Sequence, residues 1–315
     1  MNRTDRVIAC AIIKDEPALA DTLESLRTVL GDALAGIVLH ETSEDERNAD
    51  ALETRLQDVA VAAFVSHRTF DNFAGARNAC LDEAEIVASG VGAPWLLMFS
   101  GGAKFSGSWR PPEGDNEALA HTELCGDLEF RKVGPIRANS DLRYVGRTHE
   151  SIDAGPVESL PHCGLIVDYS ADFDPEKKAA RWRQDIALLA DDYSPRGRFY
   201  LAQSFKCLGI VHEAFAYSMI RAEMHGYEPE RRQAVVYAVE TAPTLGLARY
   251  ASSLAPDCAD VQLALAERCF AVRDPAVEQA IVLAASLEDR SMFANRRLHE
   301  RCVELHATIK GVTYE

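Results

Sequence analysis

The stretch FDNFAGARNACLDEA at residues 70–84 is followed, after a short spacer, by PWLLMF at residues 94–99. The first stretch predicts a helix over residues 73–88. The second contains the uninterrupted apolar run WLLMF, which is typical of a strand buried on both faces of a parallel sheet. A helix that leads into a buried strand is the repeating unit of α/β proteins, so these residues set the expected fold class.

The same alternation extends from here toward the amino terminus. VIACAII at residues 7–13 predicts a buried strand, and leucines spaced by four, three and four within residues 17–30 predict an amphipathic helix. Two further strands are expected at residues 36–40 and 61–66, separated by a helix over residues 47–61. We therefore expect α/β units with a mainly parallel, Rossmann-like sheet.

The pattern changes after Pro175, where strand-like segments stop. Helices are expected at residues 176–190, 198–208, 212–225, 231–241, 248–254, 259–272, 275–286 and 291–309. Small residues at Ala202, Gly209 and Ala214 would let two helices approach closely, as in tetratricopeptide repeats. The sequence thus predicts two domains, an α/β domain at residues 1–174 and an all-helical hairpin domain at residues 175–315.

Composition narrows the class of protein further. The chain has 315 residues, of which 47% are apolar and 26% charged, as in ordinary globular proteins. No stretch has the roughly 18–20 uncharged apolar residues of a membrane-spanning helix, and the first apolar run meets charges too early for a signal peptide. The eight cysteines form no C-x-x-C pair, which argues against a zinc ribbon or a disulfide framework. We expect a cytoplasmic protein without a membrane span.

Charge is distributed unevenly along the chain. The net charge is −16, of which −15 falls in residues 1–175 and −1 in residues 176–315. Nucleic-acid affinity depends mainly on neutralising phosphates, so an acidic first half disfavours duplex DNA as a partner.

Several blocks in the first half carry a resemblance to a known family. In order and spacing, these blocks resemble the motifs of family-two glycosyltransferases. They are residues 7–26 (VIACAIIKDEPALADTLESL), residues 70–84 with residues 94–99, and residues 144–152 (YVGRTHESI). The subgroup that looks most similar is bacterial and phage, with a helical, repeat-like tail. The resemblance implies a GT-A fold, a nucleotide-sugar donor such as a UDP-sugar, and inversion at the anomeric carbon.

The resemblance also assigns donor-binding candidates. Lys14 and Glu16 stand in the family's Lys-Asn-Glu block, where Glu16 would accept hydrogen bonds from the nucleotide base; the alternative is a solvated helix start. In HETSED at residues 40–45, Asp45 matches the family pattern and His40 replaces the acid expected to contact the base. Arg77, in the "ARN" block, would reach the donor; the alternative is a structural ion pair.

The largest departure from the family is at Ser100-Gly101-Gly102, where relatives carry Asp-x-Asp. Two carboxylates there would hold Mg²⁺ or Mn²⁺ across the donor diphosphate. Three interpretations remain: neutralisation by glycine N–H groups and Lys104 without metal, a protein that binds without catalysis, or a plain turn. The need for a divalent metal stays open.

Glu150 and His149 belong to the block GRTHE, which matches the family's "G.VHE". The resemblance makes Glu150 the candidate general base and His149 a candidate phosphate or metal contact. Asp168-Tyr169 stands where relatives carry His-Tyr. The Gly- and Pro-rich segment at residues 105–127 is expected to form a mobile loop over the cleft.

The function most consistent with these blocks is transfer of a sugar from a nucleotide sugar to an acceptor hydroxyl on a glycan, a protein or a modified nucleotide. The alternative is a non-catalytic relative that binds a nucleotide or glycan. The helical domain would offer a surface for a protein partner or for self-association. A dinucleotide-dependent dehydrogenase is excluded because no glycine fingerprint follows the first strand.

Overall fold

The computed structural model describes residues 5–14, 16–43, 49, 52–53, 56, 62–126, 128–169, 175–287 and 298–310. Asp45 and most of the predicted helix at residues 47–61 lie outside these ranges. The chain forms two compact units, one of Met1–Gly126 with Phe130–Asp172 and one of Asp127–Glu129 with Phe173–Glu315. The predicted boundary between residues 174 and 175 also falls outside the described ranges and stays a prediction.

The first unit is built on a large sheet. The strands, numbered along the chain, are β1 Val7–Ile13, β2 Leu34–Glu41, β3 Ala62–His67, β4 Trp95–Phe99, β5 Lys104–Gly107, β6 Ala118–Cys125, β7 Leu128–Arg137, β8 Tyr144–Val145, β9 Ser151–Ile152 and β10 His162–Asp168. Eight of them form one sheet in the order β3-β2-β1-β4-β7-β6-β10-β5, and β8 pairs with β9. Neighbours from β3 to β4 are parallel, as are β6 and β10, whereas β7 runs antiparallel to β4 and β5 antiparallel to β10.

Two helices cover the faces of this sheet. On one face, the regularly spaced leucines of helix α1 (Leu19–Leu30) form a core cluster with every second residue of β1. On the other face, Cys80, Leu81 and Ala84 of helix α2 (Phe73–Val91) pack with the β1 residues in between. Strand β1 is therefore apolar along its whole length because both its faces are covered.

The second unit consists, in the described residues from 175 onward, of helices alone. They are α3 Pro175–Leu189, α4 Pro195–Cys207, α5 Val211–Glu223, α6 Glu228–Thr241, α7 Leu245–Ser252, α8 Ala259–Ala271, α9 Val277–Ser286 and α10 Leu298–Lys310. The predicted fold class, an α/β domain followed by a helical domain, is confirmed.

Residues 105–127, which we expected to form a mobile loop, include two strands of the sheet. Residues 105–127 contain most of β5 and all of β6. Phe105 of β5 and Leu119 of β6 are buried in the hydrophobic core, and their burial holds both strands in the sheet. Trp109 packs edge-to-face against Trp95 and donates to the carbonyl of Asp5 at 2.6 Å. The prediction of a loop was therefore wrong for the residues of β5 and β6, whereas residues 108–117 lie outside helices and strands.

Among the residues that the structure describes, no helix combines the length and the apolar character needed to cross a membrane.

Candidate functional site

The candidate site lies where the parallel strands end. In β1, β2 and β4 the chain runs in the same direction, so Ile13, Glu41 and Phe99 end at one edge of the sheet. Ligands of α/β sheets bind at this carboxyl edge. Ser100 directly follows β4, and the first turns of α2 follow the end of β3.

Arg77 and Glu150 meet at this edge. Arg77 Nε donates to Glu150 Oε1, and the two side chains are 14% and 8% exposed. The Arg77 guanidinium also lies 5.3 Å from the centre of the Tyr144 ring. Burial would raise the pKa of Glu150, but the charges of Arg77 and Lys132 outweigh burial and lower that pKa. Two residues assigned to separate roles from the sequence thus form one buried ion pair.

The neighbouring residue of the "ARN" block explains how this pair is positioned. Asn78 Nδ2 donates to the carbonyl of Tyr144 at 2.9 Å, and its Oδ1 accepts from the Tyr144 N–H at 2.8 Å. Asn78 therefore fixes β8, the strand that leads into the loop of Glu150. That loop turns through Gly146 at φ 101° and His149 at φ 48°, a left-handed conformation that non-glycine residues seldom adopt.

A second charged group, absent from the sequence prediction, adjoins the first. Glu123 Oε1 lies 3.0 Å from Lys132 Nζ and 3.3 Å from His121 Nε2. Glu123 and His121 are buried, whereas the Lys132 side chain is 42% exposed. Gly134 leaves room for the imidazole, since a Cβ there would lie 1.9 Å from His121 Nδ1. The alternation His121-x-Glu123 on one strand face was the available sequence signal.

Tyr169 connects this second group to the end of β4. Burial and the Glu123 carboxylate raise the pKa of Tyr169, while the Ser100 hydroxyl lowers it, so both side chains act on the Tyr169 hydroxyl. Its backbone N–H donates to the carbonyl of Leu124 at 2.9 Å, which fixes the residue just past β10. We call Arg77, Glu150, Tyr144, Lys132, Glu123, His121, Tyr169 and Ser100 the edge cluster.

Ser100, Gly101 and Gly102 form a tight turn rather than an open loop. The Ala103 N–H donates to the Ser100 carbonyl at 3.0 Å, and Thr22 Oγ1 donates to the Gly101 carbonyl at 2.6 Å. A Cβ on Gly101 would lie 2.3 Å from Glu16 Cγ. Neither Gly101 nor Gly102 has the positive φ of an alternating anion-binding nest. Close packing against Glu16 is what requires glycine at position 101.

The remaining predicted residues lie in different surroundings. His40 is fully buried and hydrogen-bonds through Nε2 to Glu83 of α2, and burial lowers the pKa of His40 despite that carboxylate. His40 thus has a structural contact with Glu83, and its predicted contact with the nucleotide base stays a prediction. Lys14 is exposed after β1, and Lys104 is exposed on β5 opposite Asp168 of β10.

Glu41, at the end of β2, is a buried carboxylate that the sequence prediction missed, and it accepts from the Ser43 N–H at 2.8 Å.

The edge cluster contains charges of both signs. Two cations, Arg77 and Lys132, stand beside two carboxylates, Glu150 and Glu123, so the charges balance without a ligand. Within the described ranges, no group of three or more His, Cys, Asp or Glu side chains is arranged to hold a metal ion.

The Glu123 carboxylate should make the stability of the protein depend on pH. Burial would raise its pKa, but Lys132 and His121 outweigh burial and lower the pKa to about 2 from an ordinary value of 4.5. A lowered folded-state pKa stabilises the fold above the unfolded-state pKa, and this stabilisation is lost as the pH falls from about 4.5 to about 2. Glu123→Gln should therefore lower the free energy of unfolding at pH 7 by up to about 3 kcal/mol and much less at pH 2.

Urea unfolding of both proteins across this pH range measures the effect. Glu158→Gln, which removes an exposed carboxylate of the same unit, is the control and should leave the pH dependence of the wild type in place. Equal destabilisation by Glu123→Gln at pH 7 and pH 2 would contradict the assigned ion pair.

Comparison with known proteins gives only distant likenesses. No protein family matches the chain, and no curated protein matches it. Among solved structures, S. aureus TarS 1-349 has 11% identity and a TM-score of 0.33, covering 98% of this chain and 93% of its own. The same protein in complex with UDP-GlcNAc has 10% identity, a TM-score of 0.32 and the same coverage. A thermophilic TPR protein of Thermus thermophilus has 16% identity and a TM-score of 0.29, covering 43% of this chain and 83% of its own. Likenesses at these TM-scores carry no argument about function.

Proposed function

We propose that this protein is a glycosyltransferase that moves a sugar from a nucleotide sugar to an acceptor hydroxyl with inversion. The observation that carries the proposal is the buried contact between Arg77 and Glu150. These residues come from two motif blocks that lie 73 positions apart in the sequence. They meet at the carboxyl edge of the sheet, in the cluster that also contains Ser100, the first residue after β4.

In this reaction Glu150 is the general base. The acceptor oxygen attacks the anomeric carbon while its proton passes to the Glu150 carboxylate. The bond between that carbon and the phosphate oxygen breaks, and its electron pair leaves with the nucleoside diphosphate. The developing negative charge needs a positive field in the transition state, which cationic side chains of the edge cluster supply.

We propose further that donor binding does not depend on a carboxylate-held metal. Ser100, Gly101 and Gly102 stand where the family that the motif blocks resemble carries Asp-x-Asp, and they contribute no carboxylate. Mg²⁺ dehydrates reluctantly and prefers oxygen ligands such as carboxylates. Arg77 and Lys132 supply positive charge at the same edge of the sheet.

A thermal-shift panel of UDP-, GDP-, dTDP- and CMP-sugars, run with Mn²⁺ and with EDTA, tests this proposal. We expect a UDP-sugar at about 100 times its dissociation constant to stabilise the fold by about 2.7 kcal/mol in both conditions. The free monosaccharide is the control and should give no shift. Stabilisation that vanishes in EDTA and returns with Mn²⁺ would show that other residues hold a metal.

The second candidate function is binding of a nucleotide or glycan without catalysis. The absence of carboxylates at Ser100–Gly102 favours it, since the family that the motif blocks resemble uses such groups for transfer. Donor stabilisation without slow hydrolysis of the donor, and without transfer to any acceptor of a glycan and peptide panel, would support this function instead.

A further inference from the structure

We propose that Arg198 of the helical unit binds a single carboxylate, carried by a peptide segment of a partner protein that also has an apolar side chain. The proposal concerns only the second unit, so it does not depend on the proposed function. It rests on two observations. One is a nearly buried cation whose hydrogen-bond donors are unused within the described residues, and the other is an apolar groove farther along the same helix.

Arg198 lies near the start of α4 and is almost enclosed by aromatic rings. Its Cζ atom lies 4.3 Å from the centre of the Tyr193 ring and 5.4 Å from the centre of the Tyr217 ring of α5. Only 7% of the residue is exposed. Among the residues that the structure describes, no oxygen atom accepts a hydrogen bond from the guanidinium. The two rings therefore contact this cation but leave its N–H donors without an acceptor.

Arg221 of the same unit shows how a buried guanidinium is satisfied. It is fully buried and donates to the carbonyls of Met224 at 3.2 Å and Tyr227 at 2.8 Å. An arginine stays charged at neutral pH, and a buried charge without hydrogen-bond partners is unfavourable. An acceptor on a binding partner would satisfy the donors of Arg198, and an anionic acceptor would also neutralise its charge.

The nearest carboxylate along the sequence is engaged elsewhere. Asp192 Oδ1 accepts from the Ser194 N–H at 2.9 Å, and a Cβ on Gly197 would lie 2.3 Å from Asp192 Cγ. Asp192 is therefore held against the backbone at the start of α4. Its charge and that of Asp191 favour a ligand with one negative charge over a phosphate dianion. A carboxylate also matches the planar pair of N–H donors that a guanidinium presents.

An apolar groove lies farther along α4. Phe205 follows Arg198 by seven residues, so the two side chains lie on nearly the same face of the helix, about 10 Å apart along its axis. The Tyr217 ring joins them, because it also stacks on the Phe205 ring with centroids 5.4 Å apart. The groove has a volume of about 400 Å³ and is lined by Arg183, Ile186, Phe205, Leu208 and Ile210.

The cation and the groove together specify a peptide. A carboxylate on Arg198 and an apolar side chain beside Phe205 need to be about 10 Å apart, which three residues of extended chain span. A free carboxylate or inorganic phosphate would use Arg198 but would leave the groove empty. We therefore expect a segment in which an acidic and an apolar residue are three positions apart.

Nuclear magnetic resonance of the full chain, ¹⁵N-labelled at arginine, tests the carboxylate site. The probe is the peptide acetyl-Glu-Ala-Ala-Leu-amide, and its neutral control is acetyl-Gln-Ala-Ala-Leu-amide. The guanidinium signal of Arg198, assigned by its loss in Arg198→Lys, should shift with the glutamate peptide. It should saturate at a concentration at least about tenfold lower than with the glutamine peptide, as expected for a charge-assisted hydrogen bond. Arg249, which pairs with Asp274 at 2.8 Å, should keep its signal unshifted.

Calorimetric titration of variants with the glutamate peptide tests the contacts one by one. Arg198→Lys keeps the charge but loses the planar pair of donors, and it should weaken binding about tenfold. Tyr193→Ala removes a ring that is 75% exposed, so the fold should persist while binding weakens roughly two- to fivefold. Arg249→Lys is the matched control and should bind as the wild type does.

Three results would overturn the inference. One is a glutamine peptide that binds as tightly as the glutamate peptide, and another is an Arg198 signal that the glutamate peptide does not shift. The third is inorganic phosphate binding more tightly at Arg198 than the glutamate peptide, which would rule out a carboxylate as the preferred ligand. Equal affinity of acetyl-Glu-Ala-Ala-Ala-amide would show that the groove takes no part and would overturn its assignment.

Discussion

Glu150→Gln is expected to lower the turnover of sugar transfer by roughly 10²–10⁴-fold, the usual contribution of a positioned acid or base. Glutamine keeps the shape of glutamate but accepts no proton at neutral pH. The donor should still bind at least as tightly, because the substitution removes the carboxylate that competes for Arg77. Donor titration and single-turnover transfer, measured on the same sample, separate the two effects.

The matched control for this experiment is Glu85→Gln. Glu85 is also a partly buried carboxylate that pairs with an arginine, Arg143, at 3.2 Å, but it lies outside the edge cluster. The control should retain the turnover of the wild type. If Glu150→Gln transfers sugar as fast as this control, Glu150 has no part in proton transfer.

Arg77→Leu is expected to destabilise the protein by about 3–5 kcal/mol, because it leaves the buried Glu150 carboxylate without its counter-charge. Arg68→Leu, which removes an exposed cation, should lower the free energy of unfolding by only about 0–1 kcal/mol. The free energy of unfolding in urea gives both values. Both substitutions remove one arginine charge, but the Arg68 side chain is 56% exposed and that of Arg77 14%.

The double variant Arg77→Leu with Glu150→Gln measures the interaction between the two charges. Replacing both members of a buried ion pair by uncharged groups is often nearly neutral for stability, so the double variant should regain most of the loss. It should still fail to bind the donor, because the guanidinium is absent. A double variant as unstable as Arg77→Leu alone would show that the arginine stabilises the fold through other contacts, such as the ring of Tyr144.

The periodicity of apolar residues was sufficient to predict the fold class. Continuous apolar runs such as residues 7–13 form strands with both faces covered, and the leucine spacing of residues 19–30 forms a one-sided helix. These patterns depend only on which faces are buried, so they can be read without knowing the neighbours. The segment at residues 105–127 was misjudged because its Gly and Pro content obscured the apolar residues Phe105 and Leu119 that fix β5 and β6.

The site could be predicted only in part. Arg77 and Glu150 were found because each belongs to a recognisable block, but their mutual contact spans 73 residues and follows from the sheet topology. Glu123 lies on β6, Lys132 on β7 and Tyr169 just past β10, and these three strands are neighbours in the sheet. The position of β10 beside β6 does not follow from any local pattern of the sequence.

By itself, the sequence determined the order of an α/β unit and a helical unit, and the two blocks that contain Arg77 and Glu150. Only the tertiary structure decided which charges share a buried environment. It paired Arg77 with Glu150 and Lys132 with Glu123, and it placed His40 in a structural contact with Glu83. The physical reason is that hydrophobic patterning depends on near neighbours along the chain, whereas the partner of a buried charge is set by whichever distant segment the fold brings within a few ångströms.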